Sequence, residues 1–259
     1  MELRKDELES LISNVVALAK QAGRKALEIY QREEFGAGLK QDASPITEAD
    51  LASNGIIAEG LAGHGWPVLS EESRQAPFEV RREWRRYWLV DPLDGTKEFI
   101  NRTGEFTVNI ALIEDNHPIL GVVYAPAVDR LYHAAKKCGA YRVMAGEHAR
   151  IFVSTSKPAR LRVVASRSHR GDALDAYLEK LGEHECVSMG SSLKFCLVAE
   201  GSADLYPRLG PTMEWDTAAA QCIVEEAGGR VTDLEGMRLR YNKPDLHNPW
   251  FLVSPASQR

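Results

Sequence analysis

Two aspartates three positions apart, in Asp91-Pro92-Leu93-Asp94-Gly95-Thr96, carry the strongest chemical signal in this chain. They follow Trp88-Leu89-Val90, an apolar run that reads as a buried strand stopping at Asp91-Pro92. Pro92 fixes the turn and lacks an N–H that would otherwise need a partner. Two carboxylates this close repel each other, and a divalent cation is the usual compensation. Hard oxygen donors at this density suit Mg2+ rather than Zn2+, and the main-chain carbonyl of Leu93 could serve as a further ligand. Gly95 and Thr96 follow at once and offer backbone N–H groups that can approach a phosphate closely. The plain alternative is an Asx-type turn with solvated acids, which the buried strand before it disfavours.

Other acids are ambiguous singly. Glu71-Glu72, after Pro67-Val68-Leu69, reads alone as exposed loop. Asp216 opens an alanine-rich helix, where Asp is favoured for capping and dipole reasons. Asp50, in Thr47-Glu48-Ala49-Asp50, fits a capping box before an apolar run. The set changes these readings: each acid stands at a strand end or a helix start, where side chains can converge on one cleft. Farther along, Ser191-x-x-Lys194 occupies a predicted helix start, where a hydroxyl, an ammonium and free N–H groups can meet an anion. Arg208, near the end of a predicted strand from Asp204, could add a fork-shaped contact.

The elements that must position these residues follow from periodicity. Leu8, Leu11, Ile12, Val15, Val16, Ala19, Ala22, Ala26 and Ile29 recur at helical steps, predicting an amphipathic helix over about 6–30 that ends before Gly36 and Gly38. A second helix follows Thr47 and stops at Gly63 and Gly65. Residues 106–113, 119–124 and 130–135 are separated by turn-like Glu114-Asp115-Asn116-His117-Pro118 and Pro126-Ala127-Val128-Asp129, an antiparallel meander signature. From about Ser154 strands alternate with helices: strand 161–165, helix 172–181, strand 185–188, helix 193–200, strand 204–206, helix 216–227, then strands near Val231 and Phe251. The polar Ser154-Thr155-Ser156-Lys157-Pro158 is the expected boundary. It would separate an N-terminal α+β domain (1–155) carrying most of the acids from a C-terminal α/β domain (156–259) carrying Asp216 and the anion contacts.

At 259 residues the chain can bury a sizeable core. Its 32 Lys+Arg against 37 Asp+Glu, a net charge of −5, argue against non-specific nucleic-acid binding. The run Arg81, Arg82, Arg85 and Arg86 reads as a solvated helix face, with contact to an anionic lipid surface or a phosphate as the other reading. Cys138, Cys186, Cys196 and Cys222 form no C-x-x-C pair and suit reduced, mostly buried thiols rather than a disulfide framework or zinc site. The charged start has no apolar signal region, and no stretch approaches the roughly 20 apolar residues of a membrane span. A cytoplasmic protein is expected, at most peripheral on the inner membrane.

Taken in order, Ser70-Glu71-Glu72, Asp91-Pro92-Leu93-Asp94-Gly95-Thr96 and Trp215-Asp216-Thr217-Ala218-Ala219 resemble the signature of the lithium-sensitive, inositol-monophosphatase-like phosphatases. The resemblance covers essentially the whole chain. Lys97 to Ile100, Gly104 to Ile113 and Gly190 to Gly201 resemble most the branch acting on 3′(2′),5′-bisphosphate nucleotides. It implies a layered αβαβα sandwich and a Mg2+-dependent hydrolysis of a small phosphate monoester by water, with no covalent intermediate. Carried over by position, Glu71, Asp91 and the Leu93 carbonyl would hold one Mg2+, and Asp91, Asp94 and Asp216 a second. Glu71 and Thr96 would activate the attacking water, Asp50 would stand beside an outer metal, and the Gly95 and Thr96 N–H groups would grip the reacting phosphate. Ser191, Lys194 and Arg208 would contact the nucleotide's non-reacting 5′-phosphate, and His169 the nucleoside. The implied substrate is adenosine 3′,5′-bisphosphate, with its sulfated analogue as a second.

Three other readings compete with this one. Phosphatases that form an aspartyl-phosphate use D-x-D-G-T, with one residue between the acids, whereas Pro92 and Leu93 separate them here. An inositol or sugar phosphatase would keep the metal chemistry and change the substrate. A non-catalytic regulator on the same scaffold would not need an intact set of acids.

Overall fold

The computed structural model describes residues 2–40, 45–156, 158–166 and 171–256. Helix α1 (Lys5–Tyr30) buries Leu8, Val15, Ala19, Ala22, Ala26 and Ile29 along one stripe. The Arg4 N–H donates to the Glu7 carboxylate at 2.8 Å, satisfying one of the free groups at its start. Past a short antiparallel pair, β1 (Ala37–Leu39) and β2 (Pro45–Thr47), helix α2 (Glu48–Ala62) lies against α1. Thr47 caps it, its hydroxyl accepting from the Ala49 N–H at 3.2 Å.

Both helices cover one face of a seven-stranded sheet whose spatial order is its chain order. The strands are β3 (Val68–Ser70), β4 (Arg86–Asp94), β5 (Thr107–Glu114), β6 (His117–Ala125), β7 (Arg130–Ala135), β8 (Gly139–Met144) and β9 (Glu147–Ile151). Only β3 and β4 run parallel. The two short helices α3 (Phe78–Arg81) and α4 (Thr96–Ile100) flank β4. Side chains alternate along β4: Trp88 and Val90 meet α1 and α2, while Tyr87 and Leu89 enter the core on the other face. The central strands are apolar on both faces because both are covered.

That other face is covered by α6 (Leu193–Ala199) and α7 (Ala218–Glu226), followed by a second sheet. Its strands β10 (Leu161–Ser166) and β11 (His184–Met189) pair in parallel, and β12 (Tyr206–Arg208), β14 (Phe251–Pro255) and β13 (Gly229–Asp233) pair antiparallel in that order. The Val164 N–H donates to the Leu205 carbonyl at 2.8 Å and joins the two groups of strands. Helix α5 (Asp172–Leu181) closes the outside, packing Leu174 and Leu178 on Val163 and Ala165. The layers are therefore αβαβα. Because α7 lies between two sheets it is largely apolar, with Ala218, Ala219, Ala220, Cys222, Ile223 and Val224 buried, and its one buried polar side chain, Gln221, accepts from the Tyr241 hydroxyl at 2.6 Å. At Gly121 of β6 a Cβ would stand 2.1 Å from the Ala219 carbonyl oxygen, so only glycine allows α7 this close.

Some expectations need correction. The meander extends by the hairpin β8–β9, and the second half is a mixed sheet in which parallel pairing is confined to β10, β11 and the bridge to Leu205. Strand β4 does not stop at Asp91-Pro92 but runs on to Asp94. The arginine run is only partly solvated, with Arg82 and Arg85 exposed, and only Arg81 lies in a helix. Arg81 is buried and donates to Asn242 Oδ1 at 2.8 Å and to the carbonyls of Ala76, Lys243 and Pro244. Arg86 pairs with buried Glu114, and Arg85 and Arg82 pair with Asp115 and Glu83. Of the four free cysteines, Cys196 and Cys222 are buried, Cys138 is half-buried and Cys186 is exposed. Among the described residues no helix is long and apolar enough to cross a membrane.

Candidate active site

The site grows from an irregularity in β4. Asp91 pairs with Asn109 and Asp94 with Thr107, so three steps on β4 oppose two on β5. This is a bulge at Pro92-Leu93, where Pro92 has no ladder N–H to lose. The bulge is pinned from three sides. Ser53 of α2 donates to the Pro92 carbonyl at 2.7 Å, the Leu93 N–H donates to Asp91 Oδ1 at 3.0 Å, and the Leu93 side chain packs with Phe99 and Phe106. A regular strand would turn residues three apart to opposite faces. Here Asp91 and Asp94 both line one cleft of about 280 Å³.

Parallel pairing of β3 with β4 matches Ser70 to Val90, which sets Glu71 beside Asp91. Asp216 arrives from the opposite side, in a short 3-10 turn (Glu214–Asp216) leading into α7, its Oδ2 accepting from the Met213 N–H at 2.9 Å. Glu71, Asp91 and Asp216 each offer an oxygen within 4.8 Å of the others, the one such group of three among the described residues. Asp94 stands outside that group, and its Oδ2 accepts from Ser192 Oγ at 2.9 Å. The chain then turns at Gly95, whose φ of 93° is left-handed and favours glycine, and starts α4.

Electrostatically this is a costly cluster. Burial, then the charges of Glu71, Asp94 and Asp216, drive the Asp91 carboxyl far above the ordinary carboxylate range. Burial, then Asp94 and Glu71, do the same to Asp216. Glu71 is raised by burial against the opposing pull of Lys40, whose ammonium lies 2.6 Å from Glu71 Oε1 and also pairs with Glu72. Ionised pairs at such separations repel by roughly 3 kcal/mol each at an effective dielectric near 20. A hard divalent cation fits, because all three donors are carboxylate oxygens, with no sulfur or ring nitrogen among them.

The remaining predicted residues take several positions. Asp50 is buried and occupied: its Oδ2 accepts from the Thr47 N–H at 2.7 Å and the Thr47 hydroxyl at 2.5 Å, completing the cap. Its Oδ1 accepts from Thr96 Oγ1 at 3.2 Å. The same cleft is lined by Ser191, Lys194 and Arg208. Burial pushes the Lys194 ammonium down to about 8 although Asp94 opposes it, and its Nζ donates to the Ser191 carbonyl at 2.6 Å. The Ser191 hydroxyl and Arg208 Nε are buried with no partner among the described residues, polar atoms facing a cleft with hydrogen-bonding capacity unused. His169 lies outside the described residues.

Residues without a sequence signal also matter here. Lys40 has no spacing relation to Glu71, and nothing short of the fold marks it. Ser192 and Asn109 fall inside the stretches that carry the resemblance, yet their contacts to Asp94 need β4, β5 and α6 to meet.

The Inositol monophosphatase family model matches residues 7–255. The chain belongs to the inositol monophosphatase family. It is 50% identical over 248 residues, 94% of its length and 99% of the relative's, to the 3′(2′),5′-bisphosphate nucleotidase CysQ of Salmonella typhimurium strain LT2. It is 49% identical, over the same shares, to the CysQ of Escherichia coli K12. Among solved structures, CysQ from Bacteroides thetaiotaomicron, described as a bacterial member of the family, superposes with a TM-score of 0.87 at 41% identity, covering 96% of this chain and 98% of that one. Members of the family are metal-dependent, and the acidic group here is one that could hold a metal.

Proposed function

We propose that this chain is a Mg2+-dependent 3′(2′),5′-bisphosphate nucleotidase that hydrolyses the 3′-phosphate of adenosine 3′,5′-bisphosphate to AMP and phosphate, and that it also accepts the sulfated analogue. The reading is carried by one observation: three acids converge in a cleft that is also lined by a buried lysine and, among the described residues, by side chains with unpaired polar atoms. Relatives at half identity over nearly the whole chain bear the name of that activity.

Glu71, Asp91, the Leu93 carbonyl, Asp94 and Asp216 would hold the metal, with Asp50 ordering the outer edge. Bound Mg2+ would neutralise phosphoryl oxygens, lower the pKa of the attacking water and stabilise the leaving alkoxide. Thr96 donates its hydroxyl hydrogen to Asp50, so its lone pairs are free to accept from that water. Glu71 would take the other water hydrogen. The new P–O bond would form as the bond to the 3′-oxygen breaks; that oxygen would leave as a hydroxyl by taking a proton from solvent water, and Glu71 would return the proton it took to solvent. The Gly95 and Thr96 N–H groups would face the reacting phosphate. Ser191, Lys194 and Arg208 would take the 5′-phosphate, and His169 the nucleoside. The domain division at about residue 155 would then set most metal ligands on one side and most substrate contacts on the other, in a cytoplasmic enzyme.

Steady-state kinetics on Lys194→Ala and Arg208→Ala test this. Each should raise KM for adenosine 3′,5′-bisphosphate by about tenfold to a hundredfold, the ~1.5–3 kcal/mol of a charge-assisted hydrogen bond, with kcat falling much less. Adenosine 3′-monophosphate should be a poor substrate and hardly notice either change. Equal losses on both substrates would remove these residues from a 5′-phosphate site.

A further inference from the structure

Ser192 has no role in the reading above, yet its side chain is the meeting point of three elements that carry the acids. The residue is 1% exposed and immediately precedes α6. Its Oγ lies 2.9 Å from Asp94 Oδ2 at the end of β4, 2.8 Å from the main-chain oxygen of Asp216 and 2.9 Å from Asn109 Nδ2 on β5. A serine hydroxyl has one hydrogen and two lone pairs. The Asn109 amide donates to it, so the hydroxyl hydrogen is divided between two acceptors, each belonging to one of the acids.

The side-chain contacts to Asp94 fall on one oxygen. Ser192 Oγ at 2.9 Å, with Thr107 Oγ1 and Asn109 Nδ2 each at 3.5 Å, gather on Oδ2. These side-chain donors hold the carboxylate at Oδ2, and the Ser192 backbone N–H also bonds it. The same hydroxyl reaches the turn that delivers Asp216, so it links the two sides of the cleft through a single atom.

We propose that Ser192 is a positioning residue: its hydroxyl anchors Asp94 by one oxygen against the Asp216 turn, and so sets how tightly the acidic cluster holds a divalent cation. The proposal rests on the metal reading of Asp94. Groups that orient a metal ligand typically contribute tenfold to a hundredfold in metal affinity.

The test is direct binding of Mn2+, followed by electron paramagnetic resonance, in the chelator-stripped full chain, with thermal denaturation alongside. Ser192→Ala should weaken Mn2+ binding by about tenfold. At saturating metal it should change KM for the bisphosphate by less than about threefold. Thr107→Val, isosteric and fully buried, removes only the longer contact and should shift Mn2+ binding by less than about threefold. The deciding arm is a double-mutant cycle: once Asp94→Asn has weakened binding, adding Ser192→Ala should cost less than about twofold more, because the residue acts through Asp94. Full additivity, or unchanged Mn2+ affinity with only a lower melting temperature, would overturn the proposal and leave Ser192 a structural hydroxyl. An Asp94→Asn variant with native Mn2+ affinity would instead remove the metal reading of Asp94, and this proposal with it.

Discussion

At the scale of single residues, Asp91 concentrates the consequences. It is buried, stands three positions from Asp94, feels the charges of Glu71, Asp94 and Asp216, and forms no ion pair among the described residues. Asp91→Asn should lower kcat at least roughly a thousandfold, about 4 kcal/mol of barrier, while the fold persists because the change is isosteric. The metal-free protein should respond in the opposite sense. Carboxylates whose folded pKa lies above the unfolded value near 4 stabilise the protein below that pH, and the contribution is lost as pH rises through the folded pKa. Burial and mutual repulsion raise Asp91 and Asp216 in this way. In chelator, the melting temperature should therefore fall as pH rises above about 4. Added Mg2+ should reverse much of the fall, and Asp91→Asn should melt higher than the parent at pH 8. The Asp91–Thr96 run was legible in the sequence because its chemistry is contiguous. Lys40 and Ser192 were not, since a contact to an acid 31 or 98 positions away leaves no local pattern.

Elements explain why those residues can be placed so closely. The apolar strand before Asp91 was readable, and so were α1, α5 and the meander, because each keeps its period over several turns or strands. The bulge was not readable: Pro92 announces a turn, but only the register of β4 on β5 shows that the strand resumes to Asp94. The β8–β9 hairpin escaped for a different reason. As the sheet edge it carries polar residues such as Arg142, Glu147, His148 and Arg150, which blunt the apolar signal. The close approach of α7 to β6 gives an element-scale prediction. Gly121→Val would force side-chain atoms into the Ala219 carbonyl, and overpacking of this kind costs roughly 1–3 kcal/mol. Chemical denaturation should show that loss. Because α7 follows directly from Asp216, turnover per folded molecule should fall as well.

For the whole molecule, the five layers bring both halves to one cleft, so Glu71, Asp91 and Asp94 from the first half and Asp216, Lys194 and Arg208 from the second line a common space. Layer order was legible from alternating periods, and the family resemblance supplied its arrangement. The mixed pairing of the second sheet was not, because β12, β13 and β14 are short and meet only through the fold. Arg81 shows the same limit: its partners Asn242 and Lys243 lie about 160 positions away, so a basic run that looked solvated is partly a buried clamp between the two halves. The central claim is that the acids of the cleft carry out metal-dependent phosphate hydrolysis while its lysine and arginine recognise a second phosphate. The most direct test measures phosphate release from adenosine 3′,5′-bisphosphate and from inositol 1-phosphate, side by side, with Mg2+ and with excess chelator. The bisphosphate should show at least a roughly hundredfold higher kcat/KM, the sum expected for two charge-assisted contacts, and chelator should abolish turnover of both. Equal or faster turnover of inositol 1-phosphate, or activity that survives chelation, would contradict the account.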